Sequence, residues 1–123
     1  MTKRLAFLGP AGSFTEQAAI TYDPEATLLP YTSIPAAAAA VDSGQADEAV
    51  VPIENSLEGS VTYTLDLLIH ESELFIRSEL VLLIVHCLLV NPGTIFGEIE
   101  VVYSHPQALA QCRSFLEKSV PNA

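Results

Sequence analysis

Three short stretches carry the side chains with which this sequence can do chemistry. Gly9-Pro10-Ala11-Gly12-Ser13 is a tight turn of small residues. Glu54-Asn55-Ser56 sets an acid, an amide and a hydroxyl side by side after the apolar Val51-Pro52-Ile53, and Ser104-His105-Pro106-Gln107 puts a hydroxyl and an imidazole ahead of a proline. An amide offers both a donor and an acceptor, and a hydroxyl offers either. A carboxyl can orient its neighbours, or donate a proton when burial keeps it protonated. Where such a stretch opens a helix, free backbone N–H groups attract anions. The shared chemistry is recognition of a small anion, with Glu54 as an orienting or polarising group or as an acid.

Each stretch also has a plainer reading. Residues 9–13 lack both the lysine of a phosphate-binding P-loop and the Gly-x-Gly-x-x-Gly pattern of dinucleotide sites, so they fit an ordinary turn and cap as well. Ser56 lacks the flanking glycines of a nucleophile elbow and fits a turn or capping serine. His105 fits a capping imidazole or a general base, and His70 and His86 read as structural. No set of three or four ligands falls at metal-binding spacing.

The elements that must hold these stretches follow from periodicity and punctuation. Residues 4–8 read as a strand that stops at the Gly-Pro turn. Ser13 and Glu16 form a capping box for the helix that follows. Residues 27–31 read as a second strand, after which Thr32 or Ser33 caps a helix running through the alanines to Asp42, and Gly44 ends it. Residues 49–53 read as a third strand, continuously apolar as in a parallel sheet covered on both faces. This order is that of an α/β unit. Beyond it, residues 64–70 are expected to be helical and 74–90 strand-like, with Glu79 and His86 as polar interruptions. A turn at 91–93, a short strand at 100–103 and a last helix to about Lys118 follow, with Ala108, Cys112, Phe115 and Leu116 on one face. The long stretch from Leu74 looks like a crossing into a second lobe.

Composition narrows the partners. Half of the 123 residues are hydrophobic, enough to build a core. Fifteen acids against five bases give a net charge of -10. The bases Lys3, Arg4, Arg77, Arg113 and Lys118 form no patch, which argues against nucleic acid and anionic membranes as partners. Residues 80–90, the longest apolar run, are interrupted by His86 and fall short of the ~20 residues of a membrane span, so they are expected in the core. Cys87 and Cys112 lack redox or zinc spacing and follow no signal peptide; they read as buried, reduced thiols of a cytosolic protein.

Taken together, three motifs resemble the prephenate dehydratase family: Gly9-Pro10-Ala11-Gly12-Ser13-Phe14-Thr15, Val51-Pro52-Ile53-Glu54-Asn55-Ser56 with Gly59, and Tyr103-Ser104-His105-Pro106-Gln107-Ala108 with Gln111-Cys112. They span essentially the whole chain in the right order. The resemblance implies two α/β lobes like those of type II periplasmic binding proteins, with the site in the cleft between them. The first lobe would cover about residues 1–73, and an incomplete second lobe would begin in 74–123. It implies a cytoplasmic lyase of phenylalanine biosynthesis that converts prephenate to phenylpyruvate with loss of water and carbon dioxide. No cofactor or metal is implied, and the assembly would be a homodimer or larger. Carried over position by position, Glu54 and Asn55 would be catalytic, and Asn55, Ser56, Ser104, Gln111, Gly12 and Ser13 would bind substrate.

One departure sets an expectation of its own. The family's Thr-Arg-Phe motif, whose threonine is regarded as the main catalytic residue, does not occur in these residues. The chain is therefore expected to be about the first two-thirds of a catalytic domain and inactive by itself, with the ACT regulatory domain of many members also outside it. Prephenate is a dianion, and none of the five bases lies in the three stretches. Its carboxylates would fall to backbone N–H groups, Asn55, Ser56, Ser104 and Gln111, with the motif's arginine supplying the stronger contact. Two other readings stay open: an arogenate dehydratase acting on the amino analogue, and a non-catalytic module that binds a small carboxylate.

Overall fold

The structure, a computed structural model, describes residues 1–55 and 59–123. The chain divides into two compact units, Met1–Leu82 and Leu83–Ala123.

The first unit is built on a three-stranded parallel sheet. Strands β1 (Arg4–Leu8), β2 (Thr27–Tyr31) and β3 (Glu48–Val50) lie in the order β2-β1-β3. Leu8 pairs with Tyr31 on one side of β1, and Phe7 pairs with Val50 on the other. Side chains alternate along a strand, so Leu5 and Phe7 point to one face and Ala6 to the opposite one. Leu5 and Phe7 pack with Ala19 of α1 (Phe14–Tyr22), whereas Ala6 packs with Ala37 and Ala40 of α2 (Ile34–Asp42). All three β1 residues are buried, as a middle strand must be when helices cover both faces of the sheet.

Local signals position both helices. The Ser13 hydroxyl accepts from the Glu16 N–H at 3.2 Å, and the Ser33 hydroxyl accepts from the Ala36 N–H at 3.2 Å. Pro35 stands in the first turn of α2, and Gly44 leaves the helix end at φ +77°, a conformation that favours glycine. From Arg4 to Gly44 the chain follows the order its sequence punctuation predicts.

The third strand starts one residue earlier than its apolar run and stops at Val50, short of the predicted residue 53. Pro52 has no N–H to contribute to a ladder, and the chain leaves the sheet there. It then forms a small antiparallel pair, β4 (Glu54–Asn55) with β5 (Gly59–Ser60), closed by the Val61 N–H donating to the Ile53 carbonyl at 2.8 Å. Helix α3 (Thr62–Asp66) continues into one wide turn at Leu67–Glu71. Thr64 is buried, and its hydroxyl donates to the Pro52 carbonyl at 2.7 Å. That bond anchors α3 to the chain just after β3.

At the amino edge of the sheet, Arg4 and Asp47 make a two-pronged contact. The Arg4 backbone N–H donates to Asp47 Oδ2 at 2.7 Å, and its guanidinium Nη2 donates to Oδ1 at 2.8 Å. These bonds hold the Asp47 carboxyl down to about 2. A carboxyl whose folded value lies below its ordinary value favours the folded state above about pH 4 and loses that contribution as pH falls toward about 2. Melting temperatures of the wild type and Asp47→Asn should therefore differ most near neutral pH, with the wild type higher, and converge by about pH 2. A gap independent of pH would contradict the assignment.

Two expectations for the later residues need correction. Residues 72–95 and 99–105 form no strand, because apolar, β-branched sequence makes a strand only when a second backbone supplies ladder partners. Nor do residues 80–90 form a core: Val81 is 98 %, Leu83 85 % and Leu89 89 % exposed. Cys87 is likewise exposed rather than buried, and Cys112 is half-buried; both are free thiols.

In the second unit, the predicted last helix is two. α4 (Pro106–Gln111) and α5 (Arg113–Ser119) are separated at Cys112, whose φ of -96° and ψ of 7° break the helical path. Leu109, Leu116 and Val120 line a depression of about 250 Å³ with Val102 and Pro121. Among the described residues no helix is long and apolar enough to cross a membrane.

Candidate functional site

The strand order fixes where the first unit can hold a ligand. From β1 the chain crosses to β2 on one side, and it later returns to β3 on the other. Such a reversal opens a crevice beyond the carboxyl ends of the two strands that flank it, here β1 and β3. Residues 9–13 leave β1 and residues 51–55 leave β3 at that same edge, because the strands run parallel in register. Two of the three chemically loaded stretches are thus brought to one sheet edge.

The first stretch is a tightly engineered turn. The Gly9 N–H donates to the Tyr31 carbonyl at 2.7 Å. A Cβ on Gly9 would sit 3.2 Å from that oxygen and 3.3 Å from the Pro30 Cβ, so any larger residue would press on the close approach to β2. Gly12 takes φ +86°, which turns the chain into α1. The Ser13 hydroxyl is used twice, donating to the Leu8 carbonyl at 3.3 Å while it accepts from Glu16. Glu16 reaches one residue further back than a capping box predicts: its Oε2 accepts from the Gly12 N–H at 2.6 Å. An anion arriving at Gly12 would compete with that carboxylate.

The second stretch differs from its predicted form. Glu54 and Asn55 do not open a helix; they are the strand residues of β4, with Glu54 opposite Ser60 and Asn55 opposite Gly59. Glu54 is exposed. Ser56 lies outside the described residues.

The third stretch belongs to the second unit. His105 caps α4: its Nδ1 accepts from the Gln107 N–H at 3.2 Å, and Pro106 stands at the first helical position. The structure thus uses this imidazole as a cap. Ser104, one residue before the cap, is exposed. At the other end of α4, Gln111 Oε1 lies 2.9 Å from His86 Nε2, a contact that the structural reading of His86 did not anticipate.

The cations of the first unit lie at the opposite edge of the sheet. Lys3 pairs with Glu48 at 3.3 Å and Asp23 at 3.6 Å, Arg77 pairs with Glu48 at 3.4 Å, and Arg4 pairs with Asp47. Glu48 also accepts from the Tyr22 hydroxyl at 2.7 Å. That hydrogen bond, followed by Lys3, holds the Glu48 carboxyl below its ordinary range, and Glu48 in turn raises Lys3. Residue spacing gave no signal of this network, whose members lie up to 74 positions apart. Its consequence is that, among the described residues of the first unit, Lys3, Arg4 and Arg77 are all paired away from the carboxyl edge. In the second unit, Arg113 is paired with Glu117 at 2.8 Å.

Among the described residues no three His, Cys, Asp or Glu side chains converge as a metal site would need. A depression of about 400 Å³ in the second unit is lined by Leu89, Val90, Asn91, Thr94, Ile99 and Val101. It includes neither Ser104 nor Gln111.

Known proteins with the same pattern are described as prephenate dehydratases, some of them bifunctional with chorismate mutase. The family model for prephenate dehydratase matches residues 5–123. The prephenate dehydratase of Lactococcus lactis is 43% identical over 120 residues, covering 98% of this chain and 42% of that protein. The prephenate dehydratase of Bacillus subtilis is 41% identical over 122 residues, covering 97% of this chain and 43% of that protein. Among solved structures, prephenate dehydratase from Arthrobacter aurescens, in complex with L-Phe, superposes with a TM-score of 0.84 at 42% identity, over 98% of this chain and 40% of that one. The chain spans about two-fifths of the length of these relatives.

Proposed function

The chain belongs to the prephenate dehydratase family over residues 5–123, and from that membership we propose that it carries part of a prephenate dehydratase active site. The observation that carries the reading is the placement of residues 9–13 and 51–55 at one carboxyl edge of the sheet, within a segment that matches the family almost end to end. The substrate is prephenate and the products are phenylpyruvate, carbon dioxide and water.

In this reading the ring carboxylate leaves as carbon dioxide, and the electrons of its carbon–carbon bond aromatise the ring. The carbon–oxygen bond of the ring hydroxyl breaks in the same process, and the departing oxygen takes a proton to leave as water. The protein's task is to hold two carboxylates and to assist the departing oxygen with a proton or a strong hydrogen bond. Asn55 at the sheet edge and Ser56, with Ser104 and Gln111 of the second unit, supply neutral donors. Glu54 orients Asn55 or polarises the site, and Gly12 and Ser13 shape its wall. No cofactor takes part. Because Lys3, Arg4 and Arg77 are all paired away from the carboxyl edge, the strong contact to a carboxylate comes from a group beyond the three stretches.

The wider reading is of two lobes resembling type II periplasmic binding proteins, about residues 1–73 and 74–123, in a cytoplasmic homodimer or larger assembly. The exposed apolar side chains Phe75, Val81, Leu83 and Leu89 favour association, since such surface is normally covered.

Incubation with prephenate tests the proposal. The protein that carries these residues should form phenylpyruvate and carbon dioxide in equal amounts. The 123 residues assayed as an isolated polypeptide should stay at the uncatalysed rate, since they contain no Thr-Arg-Phe segment. Tight binding without carbon dioxide release by the protein would favour the carboxylate-binding module. A higher kcat/KM for arogenate than for prephenate would make the activity an arogenate dehydratase.

A further inference from the structure

Helix α4 is held at both ends by imidazoles. His105 caps its start, and His86 Nε2 lies 2.9 Å from Oε1 of Gln111, its last residue. A carbonyl oxygen only accepts, so this contact requires the hydrogen on His86 Nε2. We propose that His86 is a positioning residue: by donating to Gln111 Oε1 it fixes the orientation of the Gln111 amide, so that the NH₂ group is the end presented to substrate. The inference rests on the reading of Gln111 as a substrate-binding residue.

The chemistry makes that orientation matter. A primary amide has a donor end and an acceptor end of nearly the same shape, and only the donor end stabilises a carboxylate; the oxygen repels it. An amide held by nothing turns over between the two. Gln111 is half-buried and stands where α4 ends, while His86 lies on a stretch without regular secondary structure, 25 residues earlier. The bond therefore also tethers that stretch to the helix. His86 does not itself have to touch substrate, and its effect passes through Gln111.

Steady-state kinetics on the protein that carries these residues provide the test. His86→Ala should lower kcat/KM for prephenate about three- to tenfold, the size of one neutral hydrogen bond. His86→Gln, which can keep an N–H donor, should recover part of the loss. The double variant His86→Ala/Gln111→Ala should be no slower than Gln111→Ala alone, because a positioning group has nothing left to position. Three results overturn the proposal with the functional reading intact: full activity of His86→Ala beside an impaired Gln111→Ala, losses that multiply in the double variant, or a loss explained wholly by a lower fraction of folded protein. An unimpaired Gln111→Ala overturns the assignment of Gln111 to the substrate site, and the role of His86 with it.

Discussion

Asn55→Ala, made in the protein that carries these residues, should lower turnover of prephenate about ten- to hundredfold and leave the melting temperature almost unchanged. The magnitude is that of a hydrogen bond to a charged group lost in the transition state, about 1.5–3 kcal/mol. The small structural effect follows from the strand pairing: Asn55 pairs with Gly59 through backbone, and alanine keeps that pairing. Ser13→Ala should show the opposite pattern. Its hydroxyl accepts from Glu16 and donates to Leu8, so losing it should cost about 1 kcal/mol of stability, as for a lost cap, with a smaller change in rate. Kinetics and thermal melts on both variants separate the two roles. Normal turnover in Asn55→Ala, or a loss that only tracks unfolding, would remove Asn55 from the site.

The largest effect on stability should come from Phe7→Ala. Phe7 is 2 % exposed, lies on the middle strand, and belongs to the cluster formed with Leu5 and Ala19, against which Tyr22, Ala26, Leu28 and Val50 pack. Truncation removes apolar burial and leaves a cavity that a sheet tied on both sides cannot close, at a cost of about 3–5 kcal/mol. Whole domains are stable by only about 5–15 kcal/mol, so the first unit should unfold at much lower urea. Ile69→Ala is the control: Ile69 is 69 % exposed, and its loss should stay within about 0.5 kcal/mol. Urea titration followed by circular dichroism reads both variants. Equal midpoints would mean that the two-sided packing of β1 is wrong.

Residues 4–44 were legible because each boundary there is set by neighbours in sequence: Ser13 and Ser33 cap from three residues away, and Gly44 ends α2 by its own backbone. The expectation failed where a distant partner decides the conformation. Residues 74–90 have the composition of strands, but a strand is a property of two chain segments. Pro52 ended β3 early although Val51 and Ile53 are apolar. The contacts that define chemistry were the least visible, since His86 meets Gln111 across 25 residues and Arg4 meets Asp47 across 43. The motif residues themselves stood out because acid, amide, hydroxyl and imidazole cluster at turns, where a core has no use for them.

The place of β1 at the middle of the sheet bears on how the chain is made. Its first partner, β2, joins residues 23 apart, and its second, β3, joins residues 43 apart. The longer closure adds only about 0.6 kcal/mol of entropy, so the order of pairing is set less by loop length than by emergence from the ribosome. Once Tyr31 has appeared, 19 further residues must be added before Val50 is available, roughly one to four seconds at typical rates of synthesis. For that interval the strand most enclosed in the finished unit is an edge strand, with its N–H and C=O groups open beside Phe7 and its Ala6 face uncovered. The edge is thus open during translation: the alanine-rich α2, which emerges next, covers the Ala6 face, and the arrival of β3 closes the edge itself.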